Sequence, residues 1–524
     1  MMNGERKQKD SRLFGGAAKF GSKMYLLALF GLLVLSLLWF APQKAFTLAA
    51  AGNGPGGVGV TDGASTLELW LRADKGVFSQ SNCTIPAATG NSVGCWQDQS
   101  GNGAHATNTN TLNQPTFNTG SLNNQPTLYF NGSQTDALVS GAITLDQFTI
   151  FSVFNSTGAD GFVYEQGSDT GTNNGNNLFS GTECSAYIKR DATTSGLSLG
   201  AGWMNATYAF VANGYNGSHS SHSVSKNDLL ISATCTYGVT DPVNPMTPVN
   251  VNDVVYIGAR SGSGLPFTGN LTELIFFNEN LPDVQKILVE NYLSSKYNIA
   301  FDVASTNDHY DGDTPANGDF DLDVAGIGRF GGVSHTVAQA AGMVVVNGTF
   351  LNADGDWLLF GHNVATNINT TADLPTGGGW DGINDQRWLR SFYFDRTDAG
   401  TAGGTVDVIF DFSDGGMTGS PAGTATNYRL LTRAGATGTF AEIAGVCVTG
   451  TSIAGDRVTF SGVDVTCLGS NFTLGTIDVV NSPTAVSLQP IVATPQTNGL
   501  LIFAACVLAL GFGSLWACLR HRPE

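Results

Sequence analysis

Leu67-Glu-Leu-Trp70-Leu-Arg72-Ala-Asp74-Lys-Gly76-Val77 opens the readable body of this chain. From Thr66 to Leu71 apolar and polar residues alternate, the period of a strand with one face in a core. Asp74, Lys75 and Gly76 then turn the chain. The same signature recurs outward from here. Pro126–Phe130, Phe148–Phe154 and Asp253–Gly258 are short runs rich in aromatic and β-branched residues, the types that fit a pleated, half-buried surface. Clusters such as Asn173-Asn-Gly-Asn-Asn177 separate them. One helix stands out, Leu281 to Lys296, where Ile287, Leu288, Tyr292 and Leu293 repeat at helical spacing and Asp283 supplies a cap region. A helix closing a long β stretch marks a domain edge near residue 302.

Composition agrees. The 67 Gly, with abundant Asn and Thr, read as many short strands joined by tight turns. Carboxylates are unevenly chosen: between residues 50 and 498 there are 32 Asp and seven Glu. Asp favours turns and calcium loops, whereas Glu favours helices. Removing the +5 of residues 1–49 and the +1 of residues 499–524 from the overall −18 leaves −24 on the part between. Such a surface repels nucleic acid and favours cations. No basic patch interleaved with aromatics argues for nucleic-acid binding.

The opening stretch belongs to a series. Trp96-Gln-Asp98-Gln-Ser-Gly101-Asn102-Gly103-Ala-His-Ala106 follows it. Then come Gln125-Pro126, Tyr129-Phe130-Asn131-Gly132 and Gly269-Asn-Leu-Thr-Glu273 before the helix. The series resembles the laminin-G-like, concanavalin A-like lectin and glucanase domains of bacterial surface proteins. The resemblance covers roughly residues 55–302 and implies a jelly-roll sandwich of two antiparallel sheets with the helix at an edge. Val324-Ala-Gly326-Ile-Gly328-Arg329, Asp356-Trp-Leu-Leu-Phe-Gly361-His362-Asn363 and Arg387-Trp388-Leu-Arg390 resemble an uncharacterised domain that often follows that sandwich. The expected fold is therefore all-β, with a sandwich over 50–302 and a second β-rich domain over 303–480.

The two ends speak of location. Residues 1–23 are basic, Met24 to Phe40 is apolar, and Ala49, Ala50 and Ala51 are small, the layout of a secretory signal over residues 1–49. An uncleaved anchor is the rival reading. Residues 499–519 are 21 uncharged, mostly apolar residues followed by Arg520, His521 and Arg522. That length spans a bilayer of roughly 30 Å. The trailing cations place the tail, residues 520–524, on the cytoplasmic side and residues 50–498 outside. Residues 481–498 form a Pro-containing stalk. Six cysteines lie outside the tail segment: Cys83, Cys95, Cys184, Cys235, Cys447 and Cys467. Six allow 15 pairings; proximity favours Cys83–Cys95, Cys184–Cys235 and Cys447–Cys467.

The Glu-x-Asp-x-(x)-Glu strand of retaining concanavalin A-like glucanases, whose two Glu stand ~5 Å apart, is absent. Glu68, Glu165, Glu183, Glu273, Glu279, Glu290 and Glu442 are scattered. The expectation is a protein that is not an enzyme. For metal binding, Asp308, Asp311, Asp313, Asp319, Asp321 and Asp323 fall within 16 residues. Alternating Asp with Gly turns can supply calcium's six to eight oxygens. The bland reading is a solvated acidic loop. Asp98 and Asn102 form a weaker calcium candidate, whose bland reading is a self-bonded turn. His219 and His222 read as a solvated loop. Trp203, Tyr208 and Tyr215 are candidates for a sugar platform, although aromatics are more often core.

Two roles follow. The first is a cell-surface adhesion or binding protein that engages a glycan or a surface protein through its lectin-like sandwich. The second is a structural component of the envelope or of an appendage, acting by self-association. A polysaccharide-active enzyme ranks third.

Overall fold

The computed structural model describes residues 52–132, 136–157, 161–167, 175–180, 186–189, 196–199, 207–215, 223–230, 251–261 and 264–485. The strand Leu67–Arg72 forms as its alternation predicts, with Leu67, Leu69 and Leu71 fully buried. Its partner is the strand Thr268–Phe277, in antiparallel register with Trp70 opposite Ile275 and Arg72 opposite Glu273. The first strand of the sandwich is thus zipped to its last.

Thr268–Phe277 also pairs with Phe148–Ser156 and Gln125–Asn131, at the centre of an eight-stranded sheet running from Leu229–Leu230 to Thr116–Leu122. A nine-stranded sheet runs from Gly196–Leu199 through Gly161–Gln166, Val251–Ile257 and Leu138–Leu145 to Val77–Phe78. One core joins the two sheets. Leu69, Leu128, Phe148 and Leu274 of the first pack with Trp96, Tyr164, Val255 and Ile257 of the second. Side chains on facing inner faces are what hold two sheets together as a sandwich.

A second sandwich follows. A nine-stranded sheet is built around Leu322–Phe330, Trp357–His362, Phe392–Thr397 and Asn471–Thr476. It covers a five-stranded sheet of Val337–Ala340, Met343–Asn347, Thr405–Asp411, Arg457–Asp464 and Gly450–Ala454. Every ladder among the described residues is antiparallel, as in Trp357–His362 against Phe392–Thr397. Strands dominate, and Asp283–Tyr297 is the single α-helix among the described residues. The all-β expectation holds at that level.

Two features differ from the expected layout. The helix does not lie at an edge. Twelve of its 15 residues are buried, Glu290, Asn291 and Lys296 included. Its apolar residues share one cluster with Phe151 and Ile275 of the first sandwich and with Val324, Trp357 and Tyr393 of the second. Packed from both sides, it needs burial all round, which a simple amphipathic stripe does not announce. The second feature is the start of the described chain. Gly52 and Gly56 form parallel bridges to Ala338 and Ala325 of the second sandwich. At Gly57, φ is +79° and a Cβ would stand 2.6 Å from that of Ala338, so the close approach requires glycine. Sequence order places this segment beside one sandwich while its hydrogen bonds lie on the other. Both sandwiches belong to one compact unit.

Two of the expected disulfides are present, Cys83–Cys95 and Cys447–Cys467. Cys184 and Cys235 lie outside the described residues, as do the segments 1–49 and 499–519. No helix among the described residues is long and apolar enough to cross a membrane.

Candidate functional site

The pairing of the first and last strands sets Glu273 beside Arg72, and the helix crosses over both. Tyr292 and Lys296 are one helical turn apart and face the same way. Glu273, fully buried, accepts from Trp70 Nε1 at 2.6 Å, Tyr292 Oη at 2.8 Å, Tyr297 Oη at 2.6 Å and Lys296 Nζ at 2.8 Å. Lys296 also donates to Asp74 at 2.9 Å. Arg72 joins Asp74 to Asp323, the latter at 3.2 Å, and Asp323 meets His362 Nε2 at 3.2 Å. A continuous polar chain therefore runs from the first sandwich through the helix into the second. Burial opposes charge on Asp323, yet the Arg72 guanidinium and the His362 hydrogen bond outweigh it and hold the carboxyl well below the usual range. Burial keeps His362 below its ordinary value, so the imidazole is neutral near pH 7.

Over this network lies a cleft of ≈ 250 Å³ between the sandwiches. Asn53, Lys75, Gln99, Asp323, Arg390 and Asp414 are the polar side chains that matter most in its lining, with Trp70 and Tyr292 on its wall. Arg390 comes from the Arg387-Trp388-Leu-Arg390 stretch. Its guanidinium is buried and donates to the backbone carbonyls of Val364, Ala341 and Ala365. Lys75 and Asp414 are exposed at the mouth.

A second cavity of ≈ 280 Å³ is lined by Asp228, Lys286 and Glu290 among others. Burial, and then the neighbouring Asp228 carboxyl, push Glu290 well above its ordinary value.

The residues singled out from sequence take varied positions. Asp98 is buried and accepts from Trp70 N, Ser100 N, Ser100 Oγ and Ala104 N at 2.8–3.0 Å. Asn102 donates to the carbonyls of Leu67 and Glu68. Together they lock the 97–106 loop onto the first strand. Tyr215 is fully buried and packs on Phe148, so its ring is core. Tyr208 is half-buried and hydrogen-bonded to Thr127. Trp203, His219 and His222 lie outside the described residues.

The acidic run does not converge on one point. Asp323 is in the ionic chain, and Asp321 accepts from Asn123 Nδ2 at 2.9 Å. Asp319 sits at a left-handed turn. Asp311 accepts from Tyr393 Oη at 2.9 Å, and its N–H donates to Asp395 at 2.7 Å. Burial pushes Asp308 up and Asp313 up to about 6. Among the described residues no three His, Cys, Asp or Glu side chains are grouped to hold one metal ion.

Asp395, beside this run, is pushed up to about 7 by burial and then by the charges of Asp311 and Asp308. A carboxyl raised in the folded state favours folding below its unfolded value near 4 and loses that contribution as pH rises to 7. Asp395→Asn mimics the protonated form and keeps an acceptor for Asp311 N. The expected result is a gain of about 1–2 kcal/mol at pH 8, discounted for partial exposure, vanishing toward pH 4. Melting curves of both proteins across that range check it. A pH-independent difference would contradict it.

Most of the cleft was not singled out from sequence. Trp70, Arg72, Asp74 and Glu273 stood in the family-like motifs, but nothing there assigned them a joint role. Lys75, Gln99, Arg390 and Asp414 are brought together only by the docking of the second sandwich.

No family model and no curated protein matches the sequence. Solved structures match in part. Domain 4 of AbnA, an extracellular arabinanase of Geobacillus stearothermophilus in complex with arabinotriose, is 13% identical with a TM-score of 0.28, over 43% of this chain and 97% of that one. The CBM40 of a Ruminococcus gnavus IT-sialidase, bound to α2,3-sialyllactose, is 18% identical with a TM-score of 0.21, over 27% and 80%. Trypanosoma rangeli sialidase is 14% identical with a TM-score of 0.28, over 45% of this chain. The match spans about a third of that sialidase, 34% of its length.

Proposed function

We propose that this chain is an exported, surface-anchored glycan-binding protein and that the cleft between the sandwiches is its binding site. The lining of that cleft carries the reading. Sugar hydroxyls both donate and accept, and the wall offers amide, carboxylate and guanidinium groups, the mixture that polar ligands of ring size require. We read the first sandwich as a concanavalin A-like lectin domain on the motifs around Trp70 and Asp98. Export and anchoring are supported by the apolar segments at 24–40 and 499–519 and by the disulfides.

We take the role to be binding without turnover. The two carboxylates of the cleft are already engaged: Asp323 by Arg72 and His362, and Asp414 by Gly342 N at 2.7 Å. A glycan array probed with the full chain in mild detergent tests the reading. At least one sugar class should be retained. Lys75→Trp, which plugs the mouth, should weaken it by about tenfold or more with an unchanged melting temperature. Binding indifferent to the plug, or no glycan bound at all, would count against it and favour a packing role in the envelope.

A further inference from the structure

We infer that the cleft takes a carboxylate-bearing sugar, with the acid group held by Arg390 and steered by Lys75. The inference deepens the glycan reading and rests on it.

It follows from an inventory of charge around the cleft. Arg72 is matched, by Asp74 on one side and Asp323 on the other, and it lies 5.2 Å from the Trp70 ring centroid. Asp323 is matched in turn by Arg72 and hydrogen-bonded to the neutral His362. Asp414 is held by a backbone N–H. Arg390 is different. It is only 6% exposed, yet among the described residues it forms no ion pair. Its three hydrogen bonds all go to backbone carbonyls. A guanidinium carries five N–H donors, so two are left over. Buried charges are ordinarily paired, because desolvating an unpaired ion is unfavourable. Burial lowers the Arg390 pKa, and Asp323 and Asp414 only partly oppose this from a distance. The missing element is an anion.

Lys75 adds to this. It is exposed at the mouth, and among the described residues its ammonium has no hydrogen-bond or ion-pair partner. With Arg72 taken by Asp74 and Asp323, the cations of the lining without a partner carboxylate among the described residues are Lys75 and Arg390. Both sit on a chain of net charge −18, whose general surface repels anions. A planar carboxylate suits a guanidinium with two N–H groups to give. Ring hydroxyls of the same residue then meet Asn53, Gln99 and Asp414. A phosphate would also be attracted, but a cavity of ≈ 250 Å³ with this amide and carboxylate lining is built for more than a bare anion.

The experiment is calorimetric titration of the full chain in mild detergent with galacturonate, N-acetylneuraminate, galactose and acetate. Galactose differs from galacturonate by an alcohol in place of the acid. At least one acidic sugar should bind about tenfold or more tighter than galactose and acetate, the loss expected for a charge-assisted hydrogen-bonded group. Lys75→Glu should weaken the acidic sugar several-fold at low salt and leave the melting temperature alone. Arg390→Lys should abolish discrimination between galacturonate and galactose; if it fails to fold, Lys75→Glu still decides. Equal binding of galactose and the acidic sugars would overturn the carboxylate assignment and leave the glycan reading standing. Acetate binding as tightly as the acidic sugars would show a bare-anion site and overturn it too. No binding by any sugar would overturn both.

Discussion

Replacing Lys296 by Met is expected to lower the unfolding free energy by about 3–5 kcal/mol, the effect of leaving a buried charge without its partner. Glu273 is fully buried and Lys296 is 2% exposed. With the ammonium gone, Glu273 keeps three neutral donors, Trp70, Tyr292 and Tyr297, and Asp74 keeps Arg72. Three neutral hydrogen bonds do not neutralise a carboxylate in a medium of low polarity. Adding Glu273→Gln removes the stranded charge and retains an acceptor for the indole and phenols. The double variant should therefore recover most of the loss. Denaturant unfolding of both single variants and the double closes the cycle. A Lys296→Met variant within about 1 kcal/mol of the parent would mean that water reaches Glu273.

The second large effect is at Asp98. Its carboxylate accepts from three backbone N–H groups and from Ser100 Oγ. Asp98→Ala strands those donors in a buried loop, at about 1–3 kcal/mol for each that water fails to reach. A total near ~3 kcal/mol is expected after relaxation, some 3–6 °C in melting temperature. Asp98→Asn should fall in between, because its amide nitrogen cannot accept. The parent should melt at the same temperature with calcium or with chelator. If chelation alone reproduced the Asp98→Ala loss, Asp98 would be a metal ligand rather than the acceptor that shapes its loop.

How much of this was legible in the sequence follows from locality. The strand at Leu67–Arg72, the helix and two disulfides each depend on neighbours in sequence, and each was readable. The turn reading of Asp98 matches the bonds it makes, because an Asx-type loop is also local. Tyr215 was harder. A lone aromatic in a Gly/Asn-rich stretch gives no sign of whether its face is covered, and here Phe148 covers it. The helix position was hidden for a similar reason. Glu290 and Lys296 look solvent-facing, yet Asp228 reaches the first and Asp74 and Glu273 the second from strands and loops outside the helix. The cleft is the extreme case. Asn53, Lys75, Gln99, Arg390 and Asp414 span most of the chain and meet only when the segment from Gly52 crosses to the second sandwich.

A structure of the chain with the oligosaccharide selected on the array tests the central claim most directly. The account predicts a sugar ring in the cleft, contacting Lys75 and Gln99 with its acid group on Arg390. A ligand seated elsewhere on either sandwich, with the cleft empty at saturating sugar, would contradict it.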